Sequence, residues 1–296
     1  MQQVLNGVVL WSIYSIFALG LGLAWGSLKL LNLAQGAIFV FSGFVAYLVS
    51  QAVALPFWML LLISLVVGGL ISVLLDAILF RPIKSHTKSE NERELLMMIG
   101  SIGGGAAIAT IVGNSTLGIP FGLSGASQLP NGSIQIAGVT LSVAQASLII
   151  AGVVISGLLW YWVHGTQGGR ALRAIAADEE ISHLMGINAN RQSMVTLFVS
   201  GALAGVGSLL LMNYTGALSS DSGDSLMLKA FAIVILGGIG SIPGVILGAA
   251  ILAGSETLVV VFGSGQWVDA ASFVFIMIFI LFRPQGIFAS GKVDRV

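Results

Sequence analysis

A charged run between positions 168 and 188 is the part of this sequence best suited to contacting another protein. In a chain with only 8% charged residues, the run contains Arg170, Arg173, Asp178, Glu179, Glu180 and His183. Such groups form charge-assisted hydrogen bonds, and acidic residues are favoured near helix N-termini. Apolar residues of the run, among them Leu172 and Ile175, recur at helical spacing, which predicts a short amphipathic helix or helix pair outside the bilayer. The small residues Ala176 and Ala177 would let a protein surface approach closely. Periodicity alone equally permits a solvated loop.

Two other stretches have the groups needed to hydrogen-bond a small polar solute. They contain Asn32, Gln35 and Gly36 in the first, and Gly237, Gly238, Gly240 and Ser241 in the second. Helix breaks at membrane depth are tolerated only where the backbone is buried in protein or lines a cavity, so such breaks indicate a transport path. Lys229 lies close to the second stretch, either on that path or anchored at the membrane interface. Both stretches can also be plain turns at the cytoplasmic side.

The residues give no support to an enzyme, a metal site or nucleic-acid binding. His86, His164 and His183 lack ligand spacing and the chain has no cysteine, so no metal is expected. No phosphate-binding G-x-x-x-x-G-K-[ST] run occurs, so we expect the chain to hold neither ATP nor another cofactor. A formal net charge of zero argues against nucleic acid.

The elements that must position these residues are membrane helices. The chain is 56% hydrophobic with a mean hydropathy of +1.01, which predicts an all-α, polytopic bundle of about 8–9 spans with broken or re-entrant helices. We expect one transmembrane domain over residues 1–296, with the charged run in a cytoplasmic loop at 166–191. Predicted spans lie near 4–25, 34–51, 56–80, 95–113, 141–164, 192–213, 227–240, 244–262 and 267–283. Glycine pairs four residues apart, at 22 and 26, 201 and 205, and 244 and 248, predict close helix packing.

The basic residues predict the orientation of these spans. Basic residues near span ends are retained on the cytoplasmic side, and eleven of the twelve fall in alternate connections. They are Lys29, Arg81, Lys84, Lys88, Arg93, Arg170, Arg173, Arg191, Arg283, Lys292 and Arg295. We therefore expect an external N-terminus and a cytoplasmic C-terminus.

Three motifs in order resemble the inner-membrane permease subunit of branched-chain amino acid ABC importers. They are Asn32-Leu-Ala-Gln-Gly36, Gly169 to Asp178 continuing to Leu184-Met-Gly186-Ile-Asn188, and Lys229-Ala-Phe231 followed by Leu236 to Gly244. The resemblance implies a second, related permease, two cytoplasmic ATPase subunits that bind ATP, and a periplasmic binding protein, in a bacterial inner membrane. It also implies that Arg170 to Asn188 corresponds to the loop whose coupling helix docks onto an ATPase.

The transported solute and the energy source have alternatives. Members of the family commonly have an acidic residue directly after the first motif, where this chain has Ala37, so a leucine-like amino acid, a short amide and urea all remain open. The other class is a secondary transporter driven by an ion gradient, which would place an acidic residue deep in a span. Glu256 is the best candidate for that role.

Overall fold

The computed structural model describes residues 1–87, 89–130, 132–136, 139–263, 267–282 and 286–288. Its helices are α1 Gln2–Leu28, α2 Gln35–Ala52, α3 Phe57–Leu75, a π-helix Asp76–Phe80, α4 Arg81–His86, α5 Glu90–Thr116, α6 Val143–Gly165, α7 Gln167–Ala177, α8 Glu179–Leu184, α9 Ala189–Thr215, α10 Ser222–Gly237, α11 Ile242–Phe262 and α12 Val268–Phe282. A 3₁₀ turn at Gly125–Ser127 and the strands β1 Ser133–Ile136 and β2 Val139–Ser142 are the other described elements. The predicted all-α bundle is confirmed.

Each of the nine predicted spans coincides with a helix. Seven helical segments in the described part of the chain are long and apolar enough to cross a membrane. The other two predicted spans correspond to α10, with 16 residues, and α12, with 15. Both are shorter than the roughly 20 residues that a full crossing requires. Seven full-length helices and two short ones are consistent with the predicted bundle of about 8–9 spans with broken or re-entrant helices.

Helix α1 lies at the centre of the bundle. Every residue from Ser12 to Ala24 is buried, and the helix packs against α6, α9, α10 and α11. Phe17 of α1 meets Phe39 of α2 edge to face, with ring centroids 5.3 Å apart. A helix that is apolar on all faces suits such a fully enclosed position.

Small residues let helix backbones touch, as the glycine pairs predict. A Cβ atom added at Gly201 would overlap the carbonyl oxygen of Gly68, and one at Gly205 would overlap that of Ser64. The Ser64 hydroxyl donates a 2.7 Å hydrogen bond to the Gly205 carbonyl. Helices α3 and α9 therefore pack backbone to backbone, the arrangement that small residues four apart permit in lipid.

The outer helices present large apolar side chains to their surroundings. Exposed residues include Leu62, Val66 and Leu70 on α3 and Ile150, Val153 and Leu158 on α6. Such side chains suit contact with lipid, because burying an apolar side chain that already faces hydrocarbon lowers the free energy little. These helices form the perimeter, and α1 forms the core.

An antiparallel hairpin, which the sequence analysis did not assign, lies in the connection between α5 and α6. Strands β1 and β2 pair Ser133 with Ser142 and Ile136 with Val139. The Gln2 side-chain amide binds both the N–H and the carbonyl of Thr140, each at 3.1 Å. The hairpin is thus attached to the start of α1.

Candidate functional site

The predicted contact segment is a pair of helices, α7 and α8, whose ends are set by side-chain caps. Thr166 caps α7 by accepting from the Gly169 N–H, and Asp178 caps α8 by accepting from the Ile181 N–H at 2.9 Å. Asn188 then caps α9 in the same way, through the Arg191 N–H at 3.0 Å. A cap satisfies backbone donors that the first turn leaves unpaired. Two candidate contact residues, Asp178 and Asn188, therefore shape the segment.

The turn after α8 and the apolar side of α7 complete the shape of the segment. Gly186 has a φ of +81°, a conformation that residues with a Cβ rarely adopt. Leu172 and Ile175 are buried in the bundle, and the Arg173 guanidinium donates to the Val163 carbonyl at the end of α6. Helix α7 is thereby fixed to the ends of the membrane helices, and Arg173 acts within the chain.

The outward side of the segment is an exposed apolar patch on α8. Leu184 is 89% exposed, Met185 78% and Ile181 57%. Arg170 and Ala177 are also exposed, whereas Ala176 is partly buried. The side chains of Glu179 and Glu180 lie outside the described residues. The sequence predicted contacts at Ala176 and Ala177. It did not single out the α8 patch as a contact, although the helical spacing of its apolar residues is visible in the sequence.

The first break, between α1 and α2, is packed inside the bundle. Asn32 and Gln35 are fully buried. The Asn32 Oδ1 atom accepts from the Ala34 N–H at 3.1 Å, while its Nδ2 atom has no hydrogen-bond partner in the part of the chain that the structure describes. The Gln35 amide donates to the Ser200 carbonyl of α9 at 2.9 Å. A Cβ at Gly36 would lie 2.6 Å from the Gly223 carbonyl oxygen of α10, so this break joins α2 to α9 and α10.

The second break, between α10 and α11, lies against the end of α1. Gly238 and Gly240 have φ values of +98° and +83°, and a Cβ at Gly26 of α1 would overlap Gly240. Ser241 caps α11 by accepting from the Gly244 N–H at 3.2 Å. Gly237 is packed against Gly244, and its carbonyl accepts from the Phe288 N–H.

Both breaks therefore meet the same helix. The Gln35 side chain lies near Gly20 and Gly240 lies near Gly26, six residues further along α1. Six residues span about 9 Å of helix. The structure thus brings the two predicted solute-contacting stretches close together along α1.

Lys229 belongs to a buried polar cluster that joins four helices. Its Nζ atom lies 2.9 Å from Glu256 Oε1 of α11 and donates to the Tyr14 hydroxyl of α1 at 3.0 Å. The Tyr14 hydroxyl donates to Glu256 Oε2 at 2.5 Å, and Ser272 of α12 donates to Oε1 at 3.0 Å. The side chains of Lys229 and Glu256 are 15% and 2% exposed. Lys229 thus contacts neighbouring helices, and its two predicted roles, solute contact and interface anchor, both stay predictions.

The cluster also bears on the ion-gradient alternative. Glu256 was the carboxylate best suited to bind a coupling ion. Both of its oxygens instead accept from side chains of neighbouring helices. These contacts link α11 to α1, α10 and α12. Tyr14 and Ser272 were missed because a hydroxyl in an apolar span gives no sequence signal until its partner is known.

A cavity of about 600 Å³ lies beside the α7–α8 segment. The end of α1, the π-helix, α4, the start of α5 and the start of α9 form the other walls. Basic residues that the sequence analysis placed on one side of the membrane meet here: Lys29, Arg81, Lys84 and Arg93. Lys88, Arg283, Lys292 and Arg295 of the same group lie outside the described residues. Among described residues, no three His, Asp or Glu side chains are grouped for a metal.

Comparison with known proteins decides the family. The family described as the permease component of branched-chain amino acid transport systems matches residues 3–282. The chain belongs to this family. It is 27% identical to the high-affinity branched-chain amino acid transport system permease protein LivH of Escherichia coli (strain K12), over 100% of this chain and 97% of the relative.

Two further relatives also match over nearly their whole lengths. The high-affinity branched-chain amino acid transport system permease protein BraD of Pseudomonas aeruginosa is 28% identical over 100% of this chain and 98% of its own length. The probable branched-chain amino acid transport permease protein LivH of Methanocaldococcus jannaschii is 25% identical over 97% and 92%. No solved structure matches. The chain is therefore a multi-pass membrane permease.

Proposed function

We propose that this chain is a permease subunit of an ABC importer that moves a branched-chain amino acid, or a related small polar solute, across the bacterial inner membrane. Family membership over residues 3–282 supports the transport role. The structural observation that supports coupling to ATPases is the α7–α8 pair, fixed to the bundle on one side and exposed on the other. We infer that the chain transports together with partners: a second permease, two ATPases and a periplasmic binding protein.

The coupling role is divided between the two helices. Helix α7 is held by its buried residues Leu172 and Ile175 and by the bond from Arg173 to Val163, so it moves with the membrane bundle. Helix α8 presents Ile181, Leu184 and Met185 to an ATPase groove. When the ATPase moves during its cycle, this apolar contact displaces α8 with it. The rigid attachment of α7 then transmits the displacement to the membrane helices.

The solute route runs past the two breaks that flank α1. Here the backbone is non-helical, and opening the packing at Gly36 or Gly240 would expose amide and carbonyl groups. The Nδ2 atom of Asn32, which has no hydrogen-bond partner among the described residues, supplies a further donor. Such groups bind a solute weakly, which lets it leave. Lys229 contributes indirectly, by holding α10, which ends at the second break.

The proposed orientation places the α7–α8 segment and the cavity beside it in the cytoplasm, and the β1–β2 hairpin outside. The grouping of basic residues supports this orientation, since basic residues near span ends are retained in the cytoplasm. Lys29, Arg81, Lys84 and Arg93 line one cavity together with Asp178 of the contact segment. The N-terminus is then external and the C-terminus cytoplasmic.

Leu184→Asp tests the coupling role, with Leu117→Asp as its matched control. Leu184 is 89% exposed at the end of α8, and Leu117 is 84% exposed after α5, at the proposed external side. Removing a leucine from an interface costs about 1.5–3 kcal/mol, which lowers ATPase affinity roughly 10- to 100-fold. We expect Leu184→Asp to lose co-purification with the ATPase and ATP-driven uptake, and Leu117→Asp to keep both. Retention of the ATPase by Leu184→Asp would exclude α8 as the docking element.

A further inference from the structure

The cavity beside the α7–α8 segment is lined by two kinds of side chain. The apolar ones, here called the apolar wall, include Leu30, Phe80 and Met97, all buried. The basic ones, here called the basic wall, include Lys29, Lys84 and Arg93, which come from three different parts of the chain. A cavity that combines these walls is suited to an amphipathic ligand with a negative charge.

Two of the acidic residues that line the cavity accept hydrogen bonds from other groups of the chain. Asp76 accepts from the Arg81 side chain at 2.9 Å, and Asp178 uses one oxygen to cap α8 at 2.9 Å. Glu94 is the third acidic lining residue, so the lining contains four Lys and Arg residues and three carboxylates, a surplus of one positive charge that remains when the Arg81–Asp76 pair is set aside. The balance is cationic, and guanidinium and ammonium groups are the usual partners of phosphate oxygens.

The shape of the chain near Asp76 helps to form the cavity. Pro82 lacks a backbone N–H, so the regular i to i−4 hydrogen bond cannot form at this position. The helix widens instead, and the Arg81 N–H bonds to the Asp76 carbonyl, five residues earlier. This π-helix contributes Asp76 and Phe80 to the cavity wall.

Helices that flank the cavity have the character of lipid-facing surfaces. Leu74 and Ile78, before and within the π-helix, are 51% and 60% exposed. Leu95 and Ile99 of α5 are 59% and 64% exposed. Acyl chains along these surfaces would bring their headgroups to the level of the basic wall, since basic pockets between membrane helices on the cytoplasmic side favour anionic headgroups.

We propose that this cavity binds the phosphate headgroup of an anionic phospholipid, with the apolar wall against the glycerol and upper acyl region. Lys and Arg groups can bind the phosphate of a lipid headgroup, and they can bind free inorganic phosphate by the same contacts. The apolar wall and the adjoining lipid-facing surfaces favour the lipid. The site goes beyond the transport role, and it places a lipid between the membrane helices and Asp178 of the proposed coupling segment.

The test is lipid binding to the purified full-length chain, measured by native mass spectrometry in detergent. The probes are phosphatidylglycerol, phosphatidylcholine and inorganic phosphate. The variants are Lys84→Gln, Lys84→Gln/Arg93→Gln and, as the matched control, Arg191→Gln. Arg191 is exposed, lies in the same proposed cytoplasmic region and does not line the cavity. This readout needs no transported solute, so it can fail while the transport proposal stands.

We expect the wild-type chain to retain phosphatidylglycerol in preference to phosphatidylcholine. Each charge removed from the cavity should lower phosphatidylglycerol affinity about fivefold, and Arg191→Gln should leave it unchanged. Equal retention of both lipids, an equal loss in Arg191→Gln, or displacement of the lipid by inorganic phosphate would each overturn the proposal. If the double variant does not fold, Lys29→Gln removes another cavity charge and is expected to give the same fivefold loss.

Discussion

Removing one charge from the buried pair between Lys229 and Glu256 should destabilise the protein more than removing both. Lys229→Met leaves the Glu256 carboxylate, whose side chain is 2% exposed, without its cationic partner. Glu256→Gln leaves the ammonium of Lys229 in the same position. Breaking a buried ion pair on one side costs about 3–5 kcal/mol, because the remaining charge is desolvated and unpaired. The double variant contains neither charge, and its Gln can still accept from Tyr14.

The assay is unfolding of the purified chain in mixed micelles, with the free energy of unfolding compared across a double-mutant cycle. We expect each single variant to lose about 3–5 kcal/mol and the double variant to stay within about 2 kcal/mol of the wild type. Arg191→Met, which removes an exposed charge, is the control and should change the free energy little. Additive losses in the double variant would show that the two charges do not stabilise each other, and would refute the reasoning.

Two further predictions concern helix packing and the solute route. Gly201→Leu should prevent α3 and α9 from packing, because the new side chain would overlap Gly68. Gly113→Ala places its side chain in open space and should be tolerated. Size-exclusion chromatography of the purified variants distinguishes the two outcomes. Asn32→Leu and Gln35→Leu should lower solute uptake while ATPase co-purification stays intact, and unchanged uptake in both would remove these residues from the route.

Much of the framework could be predicted from the sequence because it depends on local patterns. Apolar length alone located the helices, and four-residue glycine spacing located contacts such as that of Gly201 with α3. The charged run predicted a short amphipathic helix or a helix pair, and its polar residues include the caps Asp178 and Asn188. Caps act within three residues, so sequence shows them directly.

What could not be predicted depends on which helix faces meet. The buried polar cluster contains residues from four separate helices, and only the packing of these helices brings them together: Tyr14, Lys229, Glu256 and Ser272. The same limit applies to α7, since amphipathic spacing does not say that Leu172 faces the bundle while Leu184 faces outward. The hairpin is different, because Ile134, Ile136, Val139 and Leu141 alternate with polar residues, and such alternation is a strand signal visible in the sequence.

The most direct test of the importer account is solute uptake into proteoliposomes that contain this chain, its partner permease and their two ATPases. Branched-chain amino acids, a short amide and urea would be offered separately, with the binding protein added on the proposed external side. The account predicts uptake that requires ATP inside, the binding protein outside and all membrane subunits. Uptake by this chain alone, driven by a proton or sodium gradient without ATP, would contradict it.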